Sequence, residues 1–531
     1  MIYKYIYKFI LVIITLYSCA AFSAPPPQPN IIFILTDDQR YDAAGFLDPR
    51  LQTPNLDALA ADGVHFSHAF VTTSLCSPSR ASILSGLYMR NHRVVDNNRI
   101  MEPSIVLFPQ RLQQAGYSTA FIGKWHMGEN SDAPRRGFDH WVSFVGQGDY
   151  GPKNILGDAT YLNVNGEKTA RTGYITDELT DYAVDWLEQQ NHEQPFFLYL
   201  SHKAVHAGFT PAERHQDLYA DVTFTLPESL PYPVQTPRWV QDQRNSWHGV
   251  DFPFHKRSPM SAKIKSYYST LAAVDDSLGR LRKLLDDQGL AENTLVMYMS
   301  DNGFLLGEHG LIDKRNAYKE SMRTFLVAAG PGLMGDSAVV DEFVANIDIA
   351  PTLLDAAGVT PEHDMDGRSF LSLAQGKITE SGWRQEIDYE YFWEYNFPHS
   401  PTTFALRDQR YKYVQYHGVW DLEQLFDLHN DPQELNNLIH EPDQLERIIA
   451  MRHRLYEIQT GRKGNHEIPY TVRQSEGSVL RHESEPRAAP FPPSWIRGDE
   501  PVDQYHGLIN DGPNKQLLID RLKEAQALGS R

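Results

Sequence analysis

Cysteine is almost absent from this sequence: Cys19 and Cys76 are the two cysteines in 531 residues. Cys19 falls within a segment at the N-terminus that has the features of a targeting signal. A mature chain that has lost this segment would retain one thiol and could form no intramolecular disulfide. A single remaining cysteine in an exported protein raises the question of what its thiol does, and this directs attention to the residues around Cys76.

Long hydrophobic runs are also scarce. The apolar run at residues 9–17 is shorter than the roughly 20 residues that a transmembrane helix needs. Lys4 and Lys8 precede it and Ala21-Phe22-Ser23 follows it, which predicts a signal peptide over residues 1–23 and no membrane span. We expect a periplasmic or secreted protein. The imperfect lipoprotein box ending at Cys19 leaves a lipid anchor in the outer membrane as the alternative.

Positive charge is in deficit. The chain has 49 Lys and Arg against 68 Asp and Glu, a formal net charge of -19. This makes nucleic acid an improbable partner. Hydrophobic residues make up 41% of the chain, which is typical of a globular protein and not of a disordered one.

Polar motifs follow four apolar segments. The run at residues 31–35 predicts a fully buried parallel strand, and we expect similar strands at residues 118–123, 196–200 and 294–299. Amphipathic helices are predicted between them, at residues 176–190 and 261–285. Strands that alternate with helices indicate an α/β fold: a large, mostly parallel sheet sandwiched by helices. Ligands of such sheets bind beyond the carboxyl ends of the strands, where all four motifs fall.

The chain is expected to divide into segments of different character. A catalytic domain is predicted over residues 28–376, and a smaller C-terminal subdomain of antiparallel strands covered by a helix over residues 377–460. The charged and Pro-rich residues 461–531 form an extension without a clear core. No internal repeat stands out.

Several motif residues suit metal binding and acid–base chemistry. Asp37 and Asp38 follow the first predicted strand, and Asp301 and Asn302 follow the last. These four side chains offer only oxygen atoms as metal ligands. Such a set suits Ca²⁺, or Mg²⁺, better than zinc. Cationic and titratable groups that can offset an anion or move a proton are Arg80, Lys124, Lys314, His126 and His206.

The segment from Cys76 to Gly86 carries the most specific pattern. Pro78 suits the first turn of a helix, and Ala81, Leu84, Leu87 and Tyr88 are spaced to form one apolar helical face. Cys76 would then lie just before a helix N-terminus, which favours an anion. A buried structural cysteine beside a capped helix is the alternative.

This segment resembles the sulfatase signature Cys-x-Pro-Ser-Arg-x-x-x-Leu-x-Gly at every fixed position. The resemblance extends over about residues 29–459 and implies an alkaline-phosphatase-like fold. It implies that Cys76 is converted by a maturing enzyme to formylglycine (3-oxoalanine), whose hydrated aldehyde is the nucleophile. It further implies a divalent ion, usually calcium, bound by Asp37, Asp38, residue 76, Asp301 and Asn302.

The resemblance also implies roles for residues in several other segments of this sequence. Gly123-Lys124-Trp125-His126 is similar to the segment with a sulfate-binding lysine and a histidine that hydrogen-bonds formylglycine. Lys314 matches the second sulfate-binding lysine. His206 is expected to contact the leaving group, with His202 as the alternative, because Val205-His206-Ala207-Gly208 departs from the family's Pro-His-x-Pro. Further substrate contacts are expected at His309, Trp393, Glu394, His399 and Arg407.

The function implied is hydrolysis of sulfate esters on a carbohydrate. The substrate is expected to be a sulfated oligo- or polysaccharide, either an algal polysaccharide such as ulvan or a glycosaminoglycan. A phosphonate or phosphate ester hydrolase of the same superfamily is one alternative. A carbohydrate-binding relative without catalysis is the other.

Overall fold

The computed structural model describes residues 28–461, apart from residues 129–130, 155, 192, 231–235, 244–245, 247, 251–258, 378–381, 395–396 and 418–422. The expected signal peptide, Cys19 and the extension after residue 461 lie outside the described residues. In the part that is described, no helix combines the length and the apolar character needed to cross a membrane.

Sixteen strands are described, and the first nine lie between residues 30 and 300. They are β1 (Asn30–Thr36), β2 (Val64–Phe66), β3 (Ala69–Phe70), β4 (Ser118–Gly123), β5 (His140–Ser143), β6 (Tyr161–Val164), β7 (Glu167–Ala170), β8 (Phe196–Ser201) and β9 (Thr294–Ser300). The others are β10 (Leu326–Ala329), β11 (Ala338–Val340), β12 (Val344–Ala345), β13 (Ile387–Tyr391), β14 (Thr402–Arg407), β15 (Tyr411–His417) and β16 (Glu423–Asp427).

The described α-helices range from four residues to 28. In chain order they are α1 (Pro54–Asp62), α2 (Cys76–Ser85), α3 (Met89–His92), α4 (Phe108–Gln114), α5 (Ile175–Glu188), α6 (Arg238–Gln243), α7 (Met260–Asp287), α8 (Lys319–Met322), α9 (Ile349–Ala356), α10 (Leu371–Ala374) and α11 (Leu445–Gly461). The spacing of apolar residues predicts helices at residues 176–190 and 261–285. Helices α5 and α7 confirm both, and each end lies within two residues of the predicted one.

Ten strands form the main sheet, in the order β11-β2-β10-β9-β1-β8-β4-β5-β6-β7. The central strands β9, β1, β8, β4 and β5 run parallel, and β10 is antiparallel to β9. Consecutive side chains of a strand point to opposite faces, and Ile32 and Ile34 pack in the hydrophobic cluster that includes α5 and α7. Ile31, Phe33 and Leu35 pack in the second cluster, with α2, α4 and α9. Both faces of the sheet are therefore covered by helices, and the predicted α/β fold is confirmed.

A second, antiparallel sheet follows in the order β13-β14-β15-β16. Leu406, Tyr413 and Leu425 of this sheet pack against Ile448 and Leu455 of α11. The small antiparallel sheet covered by a helix was predicted from the sequence and is confirmed. The domain boundaries given above remain predictions.

The helix that begins at Cys76 is shorter than expected. Gly86, with φ of 71°, adopts the left-handed conformation that ends it, and its N–H donates to the carbonyl of Ser82. The prediction that Leu87 and Tyr88 continue the apolar face of this helix was therefore wrong. They follow the C-terminal glycine, and the periodicity of apolar residues alone did not show where the helix stops.

Candidate active site

The four polar segments meet at one edge of the main sheet. Strands β9, β1, β8 and β4 are adjacent and parallel, so their carboxyl ends lie side by side. Backbone hydrogen bonds join the segments beyond the strands, since the N–H of Asp37 donates to the carbonyl of Ala204 and that of Asp301 to the carbonyl of Thr36, at 2.9 and 3.0 Å. The loops are thus held in register by the same pairing that forms the sheet.

Cys76 is the first residue of α2 and is fully buried at this edge. Lys314 Nζ lies 2.9 Å from its Sγ atom, and Asp37 Oδ1 lies 3.4 Å away. Burial, together with the negative charge of Asp37, raises the pKa of the thiol to about 12. The unmodified cysteine is therefore a protonated, shielded thiol and not a thiolate nucleophile.

Three cations surround the Cys76 side chain. Arg80 lies one turn along α2, and its Nε and Nη2 atoms each lie 2.9 Å from Asp301 Oδ2. Lys124 forms an ion pair with Asp37, and Lys314 forms one with Asp38. All three cations are buried, so their charge acts in a medium that screens it weakly.

Three carboxylates converge beneath these cations. One oxygen from each of Asp37, Asp38 and Asp301 lies within 4.8 Å of the others. Burial and the charge of Asp37 raise the pKa of Asp301 to about 7, and burial also raises that of Asp38. Although burial opposes it, Lys124 holds the pKa of Asp37 well below its usual range.

A divalent cation fits this cluster. The carboxylate oxygens are hard ligands, and Asn302 adds a buried Oδ1 atom without a hydrogen-bond partner among the described residues. Buried polar atoms without partners are rare, so Asn302 Oδ1 is suited to a ligand. The amide nitrogen of Asn302 donates to Asp38 at 2.7 Å, which fixes the oxygen's direction.

Two histidines contact residues next to the thiol or in the carboxylate cluster. His126 Nδ1 lies 3.3 Å from Ser77 Oγ, and the residue adopts φ of 55°. His206 Nε2 lies 3.9 Å from Asp38 Oδ2. The His206 side chain is 13% exposed to solvent, whereas the Asp38 side chain is buried. Burial lowers the pKa of both imidazoles, and Lys124 lowers it further, so both rings are neutral in the free site.

The alternative histidine, His202, does not join this group. Its Nε2 atom lies 3.3 Å from Ser277 Oγ of α7, and the side chain is fully buried. Burial lowers its pKa to about 3. The structure thus places His206, and not His202, beside the carboxylate cluster.

The expected substrate contacts at His309 and Arg407 remain predictions, and the structure gives the local surroundings of each. His309 stacks on Tyr318 at 3.7 Å between ring centroids and is buried. Arg407 ends strand β14, whereas Trp393 is bonded to Thr402 at the other end. At about 3.3 Å per residue the two ends lie about 17 Å apart.

Trp393, Glu394 and His399 lie beyond the end of β13, and Glu394 contacts the neighbour of a residue in the cluster. Glu394 accepts a hydrogen bond of 2.8 Å from Arg315, which follows Lys314 in the chain. Trp393 Nε1 donates to the carbonyl of Pro398 at 3.1 Å. Burial lowers the pKa of the His399 imidazole.

Two polar residues of the site were not predicted. Ser201 Oγ accepts from Arg80 at 2.7 Å and donates to the carbonyl of Lys124 at 2.8 Å. Gln147 is bonded to the Lys124 ammonium through its side-chain oxygen. The signal for both was their position, because Ser201 is the last residue of β8 and Gln147 follows β5, at the same edge of the main sheet as the other motifs.

Comparison with known proteins identifies the family. Residues 29–359 match the family described as Sulfatase, and residues 307–461 match the family described as N-sulphoglucosamine sulphohydrolase, C-terminal. The chain belongs to the sulfatase family. The predicted membership is therefore confirmed, and the protein is a sulfuric ester hydrolase.

Curated sulfatases resemble the chain over most of its length. An N-acetylglucosamine-6-O-sulfatase of Bacteroides thetaiotaomicron is 30% identical over 82% of this chain and 87% of its own. An N-acetylglucosamine-6-sulfatase of Homo sapiens is 31% identical over 71% of this chain and 70% of its own. An ulvan-active sulfatase of Formosa agariphila is 29% identical, over 79% and 78% respectively.

Solved structures share the fold. A protein in complex with its substrate D-glucosamine-2-N,6-O-disulfate has a TM-score of 0.75 and 28% identity, covering 82% of this chain and 98% of that chain. A phosphonate monoester hydrolase of Agrobacterium radiobacter has a TM-score of 0.65 and 23% identity, covering 82% and 96%. The second likeness is one of fold alone.

Proposed function

We propose that this sulfatase hydrolyses a sulfate ester of a glycosaminoglycan-type sugar, with the 6-O-sulfate of N-acetylglucosamine as the first substrate to test. The observation that carries the chemistry is the position of Cys76, at a helix start, 2.9 Å from Lys314 and beside a carboxylate cluster. The sugar is supported by two of the relatives named above, an N-acetylglucosamine-6-O-sulfatase and an N-acetylglucosamine-6-sulfatase.

The nucleophile is proposed to be formylglycine, formed from Cys76 by a maturing enzyme. The buried thiol, with its pKa raised to about 12, is a poor nucleophile near neutral pH, which supports a chemical change at this position. The hydrated aldehyde supplies an oxygen nucleophile in place of the thiol.

A divalent ion, Ca²⁺ or alternatively Mg²⁺, is proposed to be held by Asp37, Asp38, Asp301 and Asn302, together with residue 76. When bound, the ion supplies positive charge against the sulfate oxygens. Lys124 and Lys314 now pair with Asp37 and Asp38, so an ion on these carboxylates would free both ammonium groups to contact sulfate.

The two neutral imidazoles are proposed to move protons at separate positions. His206 Nε2 lies on the more open side and is placed to protonate the leaving alcohol oxygen. The bound sulfate ester offsets the repulsion from Lys124 and Lys314, which favours the protonated form of His206. His126 is hydrogen-bonded to Ser77, the residue after position 76. We propose that it accepts a proton from a hydroxyl of the hydrated aldehyde at position 76.

Sulfate release from a panel of defined sulfated saccharides tests this function. We expect the largest kcat/KM for 6-O-sulfated N-acetylglucosamine and its oligosaccharides, and a loss of activity on removal of divalent ions. Cys76→Ala is the control, since it keeps the fold and lacks the nucleophile. Ulvan oligosaccharides as the best substrates would redirect the assignment to algal polysaccharide, and faster hydrolysis of phosphonate esters would contradict it.

Export is proposed as the setting of this reaction. The basic and apolar residues before residue 23 support a periplasmic or secreted enzyme, with a lipid anchor at Cys19 as the alternative. Fractionation of the native host, with mass measurement of the mature N-terminus, separates these outcomes.

A further inference from the structure

A second cavity lies between the small antiparallel sheet and the segments around β3 and α8. It encloses about 180 Å³ and is lined by residues of β3, α8, β14 and β15 and of the segments that follow α8 and β16. None of the residues described above around Cys76 lines it. The lining residues are Phe70, Lys319, Met322, Arg323, Arg407, Lys412, Leu428, Pro432 and Glu434.

Positive charge dominates this cavity. Its four cations face a single lining carboxylate, that of Glu434, which pairs with Lys412. Lys319 pairs with Glu320 at 3.2 Å. In the described part of the chain, neither Arg323 nor Arg407 has a carboxylate within ion-pair distance.

Both arginines carry nitrogen atoms that lack an acceptor. Arg323 Nε and Arg407 Nη1 are buried, and among the described residues no atom accepts a hydrogen bond from either. Buried donors are nearly always satisfied, although the two arginine side chains as a whole are only partly buried. Two such donors on one cavity are suited to hydrogen-bond a bound anion.

Aromatic rings hold the two guanidinium groups in place. Arg407 lies 4.5 Å from the ring centroid of Phe70 and 5.1 Å from that of Phe343. Arg323 lies 3.8 Å from the ring centroid of Tyr41, and its Nη2 donates to the carbonyl of Ser67. Burial and the charge of Arg323 lower the pKa of Arg407 to about 10, an effect that a bound anion would reverse.

We propose that this cavity is a second binding site, for a tetrahedral oxyanion of the sulfate type, held between Arg323 and Arg407. Planar guanidinium groups suit such an anion because each can donate two parallel hydrogen bonds to its oxygens. Two sources share this chemistry: free inorganic sulfate, and a sulfate group on a polymeric saccharide. The site does not depend on the reaction at Cys76, so it can be tested even where the proposed substrate fails.

Selenate, a heavier analogue of sulfate, is the probe for the first experiment. Crystals of the protein soaked in sodium selenate are expected to show anomalous selenium density between Arg323 and Arg407. Density at the Cys76 site in the same crystal is the internal positive control. An empty cavity beside an occupied Cys76 site would overturn the proposal.

Two variants and one matched control assign the density to the arginines. Arg407→Gln and Arg323→Gln are each expected to abolish the density in the cavity and to keep it at Cys76. Arg410→Gln is the control, since Arg410 lies on the next turn and pairs with Asp427 at 2.8 Å outside the cavity. Density that persists in both cavity variants would contradict the assignment.

Kinetics separate the two sources of the anion. If the occupant is a sulfate group of a polymer, Arg407→Gln lowers kcat/KM for long sulfated oligosaccharides by about tenfold, the size expected for a lost charge-assisted hydrogen bond, and leaves a small aryl sulfate unchanged. If the occupant is free sulfate, Arg407→Gln leaves kcat/KM unchanged for both substrates. The variant then loses only the selenate density in the cavity and the added stability that sulfate bound there gives the folded protein.

Discussion

The residues around Cys76 form a charge-balanced cluster in which each group depends on its neighbours. Arg80 shows this most clearly, because it contacts Asp301, the carbonyl of Lys124 and the hydroxyl of Ser201. The guanidinium is almost completely buried. Removing it would leave carboxylates without their compensating charge.

Arg80→Gln is therefore expected to lower the free energy of unfolding by about 3–5 kcal/mol, the loss typical of a broken buried ion pair. Arg50→Gln is the matched control, since Arg50 pairs with Asp48 at 2.6 Å but has 45% of its side chain exposed. An exposed pair contributes less than about 1 kcal/mol. Urea unfolding compares the two, and equal losses would show that the Arg80 pair is not the buried anchor described here.

The two histidines of the loop after β8 provide a second comparison at the residue scale. His206→Gln is expected to lower kcat/KM by about 10²–10⁴-fold, because a proton donor to the leaving group is lost. His202→Gln is expected to change kcat/KM little and to act on stability instead, since its ring contacts Ser277 of α7. Sulfate release on an alcohol-derived ester measures both, and the reverse order would show that the leaving group is on the His202 side.

At the scale of secondary structure, the site depends on how closely β4 and β8 approach. Gly123 ends β4 with φ of 125°, and a Cβ atom there would lie 1.8 Å from the carbonyl oxygen of Ser201. The same oxygen accepts the backbone N–H of Lys124 at 2.8 Å. A side chain at position 123 would therefore push the lysine away from Asp37.

Gly123→Ala is expected to reduce both the free energy of unfolding and kcat. Gly116→Ala is the matched control, because Gly116 also has positive φ, of 96°, but nothing lies within 4 Å of its added Cβ atom. It should lose only the backbone contribution, about 1–2 kcal/mol, and retain kcat. Urea unfolding and sulfate release together test the pair. A Gly123→Ala enzyme as active as Gly116→Ala would refute the steric account.

The sequence predicted where the strands lie more accurately than it predicted which way the side chains after them point. Apolar runs such as residues 31–35 show where a buried strand lies, and the polar residues after them show its functional end. Which way a loop side chain points depends on backbone angles, so His202 and His206 could not be separated from the sequence. The surroundings of Arg407 depend on how β14 is oriented against the main sheet. The alternation of apolar residues along a strand carries no information about that orientation.

At the scale of the whole molecule, a net charge of -19 opposes a sulfated polyanion while three buried cations surround the site. The long-range field is screened beyond about 8 Å in physiological salt, but extends to about 30 Å at about 10 mM. The local cations act within contact distance and are affected much less.

We therefore expect kcat/KM for a multiply sulfated oligosaccharide to rise as salt increases from about 10 mM to about 150 mM. A singly charged aryl sulfate should respond less, because the field acts on fewer charges. Initial rates at both salt concentrations check this. A fall in kcat/KM for the oligosaccharide would mean that local positive charge governs its approach.

The central claim is that residue 76 acts as formylglycine. Mass spectrometry of the peptide containing residue 76, from active protein made in a host with a maturing enzyme, tests it most directly. We expect the mass of the aldehyde or its hydrate, in a fraction of the protein that rises with specific activity across preparations. Fully active protein that contains only the free thiol at Cys76 would contradict it.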